Sequence, residues 1–454
     1  MKIVIIGGGK VGSTLASQLA NEEHDVVLID NNRSVVKRLS ETLDMLTIYG
    51  NGANLALQRQ ADVGNANLLI AVTPQDELNM ICCIIARKLG CQNAIARVRN
   101  PEYARQMYFL RDELGLSMSV NPEWSTAREI FRLMQYPGFL KRDSFAKGRV
   151  EIVELDVPKD GVLDGVMLSE LPKKLRVRVL VCAIHRGSNI LIPDGNFCLT
   201  AGDRIYVTAP SAELVALLSS VGLKKKRAKN AMIIGGSRIT QYLTEQLLKA
   251  GTNVKIIELD RKRSTMLAEL LPGATIINSD GTNQSVLISE NIQQMDTVVA
   301  LTNMDEENLI ISMYAKHVGV KQVITKLNRT EYIEMFRDKG IDCTVSPKYL
   351  CAQEIIRYVR ALQNNDGSAI ISVHHLIGAE VEAIEFRVTE HTRFQDVPLR
   401  NIKLKPNILV ACINHKDRIV IPGGGDVVRL GDTVVVVSLA GRAILDLNDI
   451  IQES

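Results

Sequence analysis

Half of this 454-residue chain repeats the other half. The run Lys2-Ile3-Val4-Ile5-Ile6-Gly7-Gly8-Gly9-Lys10-Val11-Gly12 returns as Asn230-Ala231-Met232-Ile233-Ile234-Gly235-Gly236-Ser237-Arg238-Ile239-Thr240, 228 positions later. The same offset carries Asp30 to Glu258. With one residue inserted, Asp76 falls on Asp305, Asn79 on Asn308, Gly90 on Gly319 and Tyr103 on Tyr332. The agreement lasts to the end, where Ile190-Leu191-Ile192-Pro193 matches Ile419-Val420-Ile421-Pro422 and Gly202-Asp203 matches Gly431-Asp432. A unit of this length is far too long for a solenoid repeat, so the chain reads as a duplicated two-domain module.

Within the first copy, short apolar runs alternate with helical periodicity. Ile3–Ile6, Asp25–Asp30, Leu46–Tyr49, Leu68–Val72, Ala94–Val98 and Ser117–Val120 have the look of strands, several of them buried on both faces. Val11, Leu15 and Leu19, then Val35, Leu39 and Leu43, recur at helical spacing, and helix patterns cover Glu77–Leu89 and Glu102–Leu114. This βαβ rhythm predicts a parallel sheet with helices on both faces, a Rossmann-like nucleotide-binding domain. After an apparent linker near Gln135–Gly148 the pattern shifts to short β-rich runs at Glu151–Val157, Val177–Ile184, Ile190–Ile192 and Arg204–Thr208, with a helix at Ala212–Leu218. That is a small α+β domain. The fold class is therefore α/β, in two tandem modules, with boundaries at 1–136, 149–222, 229–361 and 369–454.

Each parallel domain ends in a helix with an apolar stripe: Ala127, Ile130, Phe131 and Met134 in one copy, Ala352, Ile355, Ile356 and Val359 in the other. Such stripes either cover their own sheet or pair one module with the next. Lys224-Lys225-Lys226-Arg227 joins the modules and reads as a solvated linker.

A G-x-G-x-x-G run means little alone, but Gly7, Gly9 and Gly12 stand directly between a strand and a helix, and Asp30 closes the second strand. Gly7 permits the tight turn, Gly9 leaves room for a pyrophosphate, and Gly12 lets helix and strand approach. The helix start then offers free N–H groups to phosphate, through Gly8, Lys10 and Val11. Asp30 suits the hydroxyls of an adenosine ribose and repels a 2′-phosphate, which favours NAD(H) or an adenine mononucleotide over NADP(H).

The second copy departs from this pattern. Gly235 and Gly236 remain and Glu258 keeps the ribose-type carboxylate, but Ser237 and Thr240 replace the later glycines, flanking Arg238 and Ile239. A weaker, differently selective or vestigial second site is expected. Arg97 and Lys326 end the fifth strands, where a cation points towards the phosphate crevice. Asn51 and Asp280 follow the third strands, and Thr73-Pro74 and Thr302 follow the fourth, all at the ligand-facing rim or in plain turns.

Several function classes find no support. A formal charge of +3 over this length does not suggest a nucleic-acid binder. The eight cysteines form no C-x-x-C pair and sit mostly in apolar runs, as expected of buried reduced thiols and not of a zinc site. No apolar stretch opens the chain as a signal peptide or reaches the roughly 18 residues of a membrane span. An NAD-dependent oxidoreductase is the alternative reading, but it needs a proton-transfer group beside the nicotinamide. The seven histidines form no constellation, and His374 and His375, adjacent on one strand, face opposite sides. No catalytic and no metal-binding residue is assigned.

At the glycine turns, and at Ala71-Val72-Thr73, Asp76-Glu77, Asn79, Ile95-Ala96-Arg97-Val98-Arg99 and Tyr136-Pro137-Gly138, the chain resembles the regulator of potassium conductance (RCK) family, whose modules join a KTN domain to a TrkA-C domain. Over essentially its full length it is similar to the tandem-module regulatory subunits of bacterial Trk potassium uptake. The resemblance implies no enzyme but a cytoplasmic protein, peripheral on the inner face of the plasma membrane. It implies binding of NAD(H), or ATP and ADP, and gating of a membrane-embedded Trk-type potassium transporter from a homo-oligomer, dimer or tetrameric ring. It further implies that the terminal helices of the nucleotide domains mediate module pairing.

Overall fold

The computed structural model describes the chain apart from residues 136–141, 147–148, 188, 211–212, 223–227, 330–331, 333–334, 337–340, 342, 365–369, 378–379, 417, 440–443, 445 and 453–454. The basic linker at 224–227 and the Tyr136-Pro137-Gly138 run lie outside the described residues.

In the first nucleotide domain the apolar runs become strands and the periodic segments become helices: β1 (Lys2–Ile6), α1 (Lys10–Asn21), β2 (Asp25–Asp30), α2 (Arg33–Thr42), β3 (Leu46–Tyr49), α3 (Leu55–Gln60), β4 (Leu68–Ala71), α4 (Asp76–Leu89), β5 (Asn93–Arg97), α5 (Pro101–Leu110), β6 (Met118–Val120) and α6 (Pro122–Gln135). The strands form one sheet in the order β3-β2-β1-β4-β5-β6, all parallel. Strands covered on both faces cannot alternate polar and apolar residues, and Ile3, Val4, Ile5, Leu68, Leu69 and Ile70 are fully buried. From β1 the chain runs outward one way to β2 and β3; β4 restarts on the other side. The crevice for a ligand therefore opens between the carboxyl ends of β1 and β4.

After the first small domain, described below, the second copy repeats the construction with β12 (Asn230–Ile234), α9 (Arg238–Lys249), β13 (Asn253–Glu258), α10 (Arg261–Leu270), β14 (Thr275–Asn278), α11 (Gln284–Ser289), β15 (Thr297–Ala300), α12 (Asp305–His317), β16 (Gln322–Lys326) and β17 (Cys343–Val345), ending in the helix Pro347–Asn364. Its sheet order, β14-β13-β12-β15-β16-β17, matches strand for strand.

The small domains are five-stranded sheets. The first contains β7 (Arg142–Phe145), β8 (Val150–Asp156), α7 (Leu171–Leu175), β9 (Leu180–Arg186), β10 (Asn189–Leu191), β11 (Arg204–Pro210) and α8 (Leu214–Ser220), with strand order β10-β9-β11-β8-β7. The second contains β18 (Ile370–Ile377), β19 (Val381–Arg387), β20 (Ile408–His415), β21 (Arg418–Val420) and β22 (Thr433–Leu439), with the same order. Neighbouring strands run antiparallel. Residues 142–145, read from sequence as linker, are instead the edge strand β7, paired with β8. Only Phe145 of that short strand is strongly apolar, too little for a periodic signal.

Like domains pair with like. One compact unit gathers the two parallel sheets (Met1–Phe131, Asn230–Ile333, Thr344–Ile356), and the other gathers the two antiparallel sheets. Inside the first unit, Ser125 on α6 donates to Glu354 on the helix Pro347–Asn364 (2.9 Å), and Asn121 Nδ2 donates to the Tyr242 hydroxyl on α9 (3.1 Å). Trp124 meets Tyr242 edge-on, with centroids 5.5 Å apart. The terminal helices thus join the two nucleotide domains, as the family resemblance implied; their Ala127, Ile130, Ala352 and Ile355 are fully buried. Inside the second unit, one face of each antiparallel sheet enters a shared core that includes Phe145, Ile152, Cys182 and Tyr206 with Leu376, Ala383, Cys412 and Val437. His374 is buried there against Asp143 (Nδ1 to Oδ1, 3.3 Å) and the Phe145 ring, in a structural role. Seven of the eight cysteines are buried, Cys198 is exposed, and all are free thiols.

Candidate nucleotide sites

The first glycine turn is shaped by contacts that leave no freedom at three positions and full freedom at one. Gly7 takes φ +102°, and a Cβ there would press on the backbone of Val72 and Thr73 at 3.0–3.2 Å. A Cβ on Gly12 would lie 1.8 Å from the Gly7 carbonyl oxygen, so α1 packs on the turn only without a side chain. At Gly8 the side chains of Val35, Leu39 and Leu28 fill the space. Around Gly9 nothing lies within 4 Å of the Cβ position. The open side of the turn is the side on which a pyrophosphate approaches. Gly9 is also the N-cap of α1 and supplies no side-chain acceptor, so the helix start keeps its positive end for an anion.

Asp30 ends β2 with both carboxylate oxygens tied to backbone. Oδ2 accepts from Gly8 N (2.6 Å) and Oδ1 from Asn32 N (2.7 Å). The carboxylate thereby fixes the turn and stands beside it. Val11 is buried in the helix packing, while Lys10 is exposed at the helix start.

The rim at the end of β4 is held by Asn79. Its Oδ1 accepts from Thr73 N (2.8 Å) and from the Thr73 hydroxyl (2.7 Å), and its Nδ2 donates to Thr73 O (3.0 Å) and Arg97 O (2.9 Å). One buried amide thus ties the ends of β4 and β5 together. One turn earlier, Asp76 holds the segment after β5 to the start of α4, accepting from Arg99 N and Asn100 N at 2.8 and 2.7 Å. The second copy reproduces both devices: Asn308 bonds Thr302 N (2.8 Å) and O (3.2 Å) and Lys326 O (3.0 Å), and Asp305 accepts from Asn328 N and Arg329 N.

The second turn keeps the backbone path and changes the occupants. Gly235 has φ +101°, and Glu258 accepts from Gly236 N and from Asp260 N (2.7 Å), as Asp30 does in the first copy. Ser237 is now a true N-cap that accepts from Thr240 N (3.4 Å), and the Thr240 hydroxyl donates to Gly235 O. The substituted side chains therefore satisfy groups that the first turn leaves free. Ile239 is buried like Val11, and Arg238 is exposed like Lys10.

The strand-end cations turn inward. Arg97 Nη2 donates to Thr73 O at 2.6 Å, and its Nε is buried without a partner. Burial and the neighbouring Arg99 charge lower the Arg97 pKa, against Glu123, Cys351 and Asp76. Lys326 is 6% exposed, with Nζ 3.5 Å from Leu301 O. Burial pushes its ammonium down to about 8; Asp305 opposes that shift, Lys10 adds to it and Glu123 opposes it. Lys10 and Glu123 belong to the first copy, so the second copy's strand-end cation lies within electrostatic reach of the first glycine turn.

The TrkA-N domain family matches residues 3–122 and again 231–347, and the TrkA-C domain family matches residues 152–222. The chain belongs to the TrkA family. It is 34% identical over 451 residues to the Trk system potassium uptake protein TrkA homolog 1 of Methanosarcina mazei, covering 98% of each chain. To the Trk system potassium uptake protein TrkA of Halomonas elongata it is 32% identical over 458 residues, covering 100% of this chain and 99% of the relative. Among solved structures, the GsuK channel bound to NAD shares its fold (TM-score 0.62, 18% identity, 97% of this chain and 77% of that one).

Placed against this TrkA-type framework, the residues expected from sequence fall into two groups. Gly7, Gly9, Gly12, Asp30, Thr73 and Arg97 converge on one crevice, and Gly235, Ser237, Glu258, Thr302 and Lys326 on the equivalent one. Asn51 and Asp280 serve their own turns: Asn51 Oδ1 accepts from Ala53 N (3.0 Å), and Asp280 Oδ1 from Thr282 N (2.8 Å) and its hydroxyl (2.7 Å). Those Thr282 bonds hold the Asp280 carboxyl below its ordinary range. Pro74 is exposed at the rim. Asp76, Asn79, Asp305 and Asn308 organise the rims without having been assigned to the sites. Their signal was present: polar residues at i and i+3 in a helix, returned unchanged in both copies.

Proposed function

We propose that the chain is the nucleotide-responsive regulatory subunit of a potassium uptake system, without chemistry of its own. The observation that carries this reading is full-length similarity to Trk potassium uptake proteins in a chain whose first glycine turn keeps Gly7, Gly9, Gly12 and Asp30. NAD(H) is the ligand of the first crevice, with ATP or ADP able to compete for the same adenosine and phosphate contacts. The GsuK neighbours, solved with NAD and with ADP, support this choice. Gly8, Gly9, Lys10 and Val11 would hold the pyrophosphate, Asp30 the ribose, and Thr73, Pro74 and Arg97 the rim. The second crevice would use Gly235, Gly236, Ser237, Arg238, Ile239, Glu258, Thr302 and Lys326.

The partner is a membrane-embedded Trk-type potassium transporter, met from the cytoplasmic face of the plasma membrane. Among the described residues no helix is long and apolar enough to cross a membrane itself. Assembly into a homo-oligomeric ring would cover the outer helices: Ile81 on α4 and its repeat counterpart Ile310 on α12 are 47% and 61% exposed, and Phe109 on α5 is 85% exposed.

Nucleotide can shift a gate only by its differential affinity for two arrangements of the subunit. The sheets are rigid, so the arrangement changes where the nucleotide domains meet, at α6 and the helix Pro347–Asn364. The test pairs potassium uptake in cells with nucleotide binding by the purified protein for Ile130→Asp and Ile355→Asp. Binding retained with regulation lost supports the reading. Unchanged regulation in a folded double variant would remove these helices from the gating route.

A further inference from the structure

The two crevices carry the same carboxylate and different neighbours beside it. Asp30 and Glu258 each give both oxygens to backbone N–H groups of the turn and of the following loop. A further difference between the two sites lies in the next side chain. In the first copy that position is Val35, packed over Gly8. In the second, 228 residues on, it is Arg263.

Arg263 is anchored. Its backbone N–H donates to the capping carboxylate Asp260 (2.7 Å), and its Nε donates to the carbonyl of Gly236 in the turn. Among the described residues, Nη1 meets the Met266 sulfur at 3.8 Å, and Nη2 is buried with no hydrogen-bond partner. The charges that reach the guanidinium are Glu258 and Arg238, the first residue of α9. Around it the first turn of α10 reads Arg261-Lys262-Arg263, where α2 reads Arg33-Ser34-Val35. Three cations at a helix start oppose the helix dipole, and a buried guanidinium with an unmet donor costs stability. Both costs vanish when an anion arrives.

We propose that Arg263 makes the second site a receptor for adenine dinucleotides phosphorylated on the 2′-oxygen of the ribose, NADP(H), while the first site keeps NAD(H). This rests on the reading above that the second turn is a nucleotide site. A lone carboxylate at the end of the second strand repels a 2′-phosphate, whereas a nearby arginine can accommodate one. With Nε held by the Gly236 carbonyl, the buried and unmet Nη2 is the donor that a phosphate would satisfy with a charge-assisted bond.

The test is calorimetric titration of the full-length protein with NAD+ and with NADP+, in a Gly9→Val background that silences the first turn. NADP+ is expected to bind at least as tightly as NAD+. Arg263→Val, which installs the residue the first copy uses, should weaken NADP+ by about tenfold or more and leave NAD+ nearly unchanged. The reciprocal Val35→Arg, with Gly9 intact, should bring NADP+ to the first site. If NAD+ binds the second turn and NADP+ is more than about tenfold weaker, or if Arg263→Val weakens both ligands alike, the proposal fails and the second site stands. Binding of neither dinucleotide would remove the second site itself, and the proposal with it.

Discussion

The two glycine turns follow one backbone path and start their helices in opposite ways. At the first, Gly9 caps α1 with no side chain and open space stands over the turn. At the second, Ser237 and Thr240 satisfy the helix start and the Gly235 carbonyl from within the chain. A site that leaves its donors unmet is built to receive a ligand, while one that meets them itself must be displaced or read differently. Duplication thus preserved the scaffold and let the chemistry of the two crevices diverge.

The contrast breaks most visibly at Gly12. Gly12→Val should destabilise the protein by about 3 kcal/mol, the upper end for overpacking, because its Cβ would strike the Gly7 carbonyl at 1.8 Å. Thr240→Val should be far milder, since the second turn already accommodates a Cβ. Denaturant melts of both variants decide this, and equal losses would mean that the turns are packed alike.

Asp30→Ala should weaken NAD(H) at the first site by roughly 1.5–3 kcal/mol, one charge-assisted bond, whereas Glu258→Ala should leave that tight site untouched. Calorimetry showing that both carboxylates matter equally for a single tight site would contradict the asymmetry.

The strand-end cations sharpen the comparison through pH. Burial lowers the Arg97 pKa from its ordinary value, and pushes that of Lys326 from its ordinary 10.5 down to about 8. Between those values the unfolded chain binds more protons than the folded one, so stability should rise as pH increases from about 8 to 10.5. Lys326→Met should flatten that rise. An unchanged slope would place the titration elsewhere.

The smallest effect belongs to the internal caps. Thr240→Ala, which loses the bond to Gly235 O, should cost about 1 kcal/mol in thermal or denaturant unfolding. No measurable loss would mean that the second turn is as open as the first.

Much of this was legible in the chain. Asp25–Asp30 and Leu46–Tyr49 appear as strands with the bounds their patterns suggested, because fully buried parallel strands read as unbroken apolar runs between turns. The first glycine turn was equally legible, since Gly7 and Gly12 answer local steric demands while the space over Gly9 is open. The strand β7 was not, because its order comes from pairing with β8 and not from its own composition. The place of Arg263 was not legible either, because its anchoring to the Gly236 carbonyl forms only in the folded turn.

The sequence by itself determined the duplicated plan, the parallel sheets and the place of the glycine turns, since all of these follow from periodicity and backbone sterics over a few residues. It left open whether the stripes on Ala127–Met134 and Ala352–Val359 cover a sheet or meet a neighbour. Only the tertiary structure decided that, by grouping parallel sheets with parallel and antiparallel with antiparallel, so that each compact unit is built from both halves of the chain. The physical reason is that an apolar face specifies burial and not the surface that buries it. That choice falls to shape and to the few polar contacts, such as Ser125 with Glu354 and His374 with Asp143, that form only once the two copies are side by side.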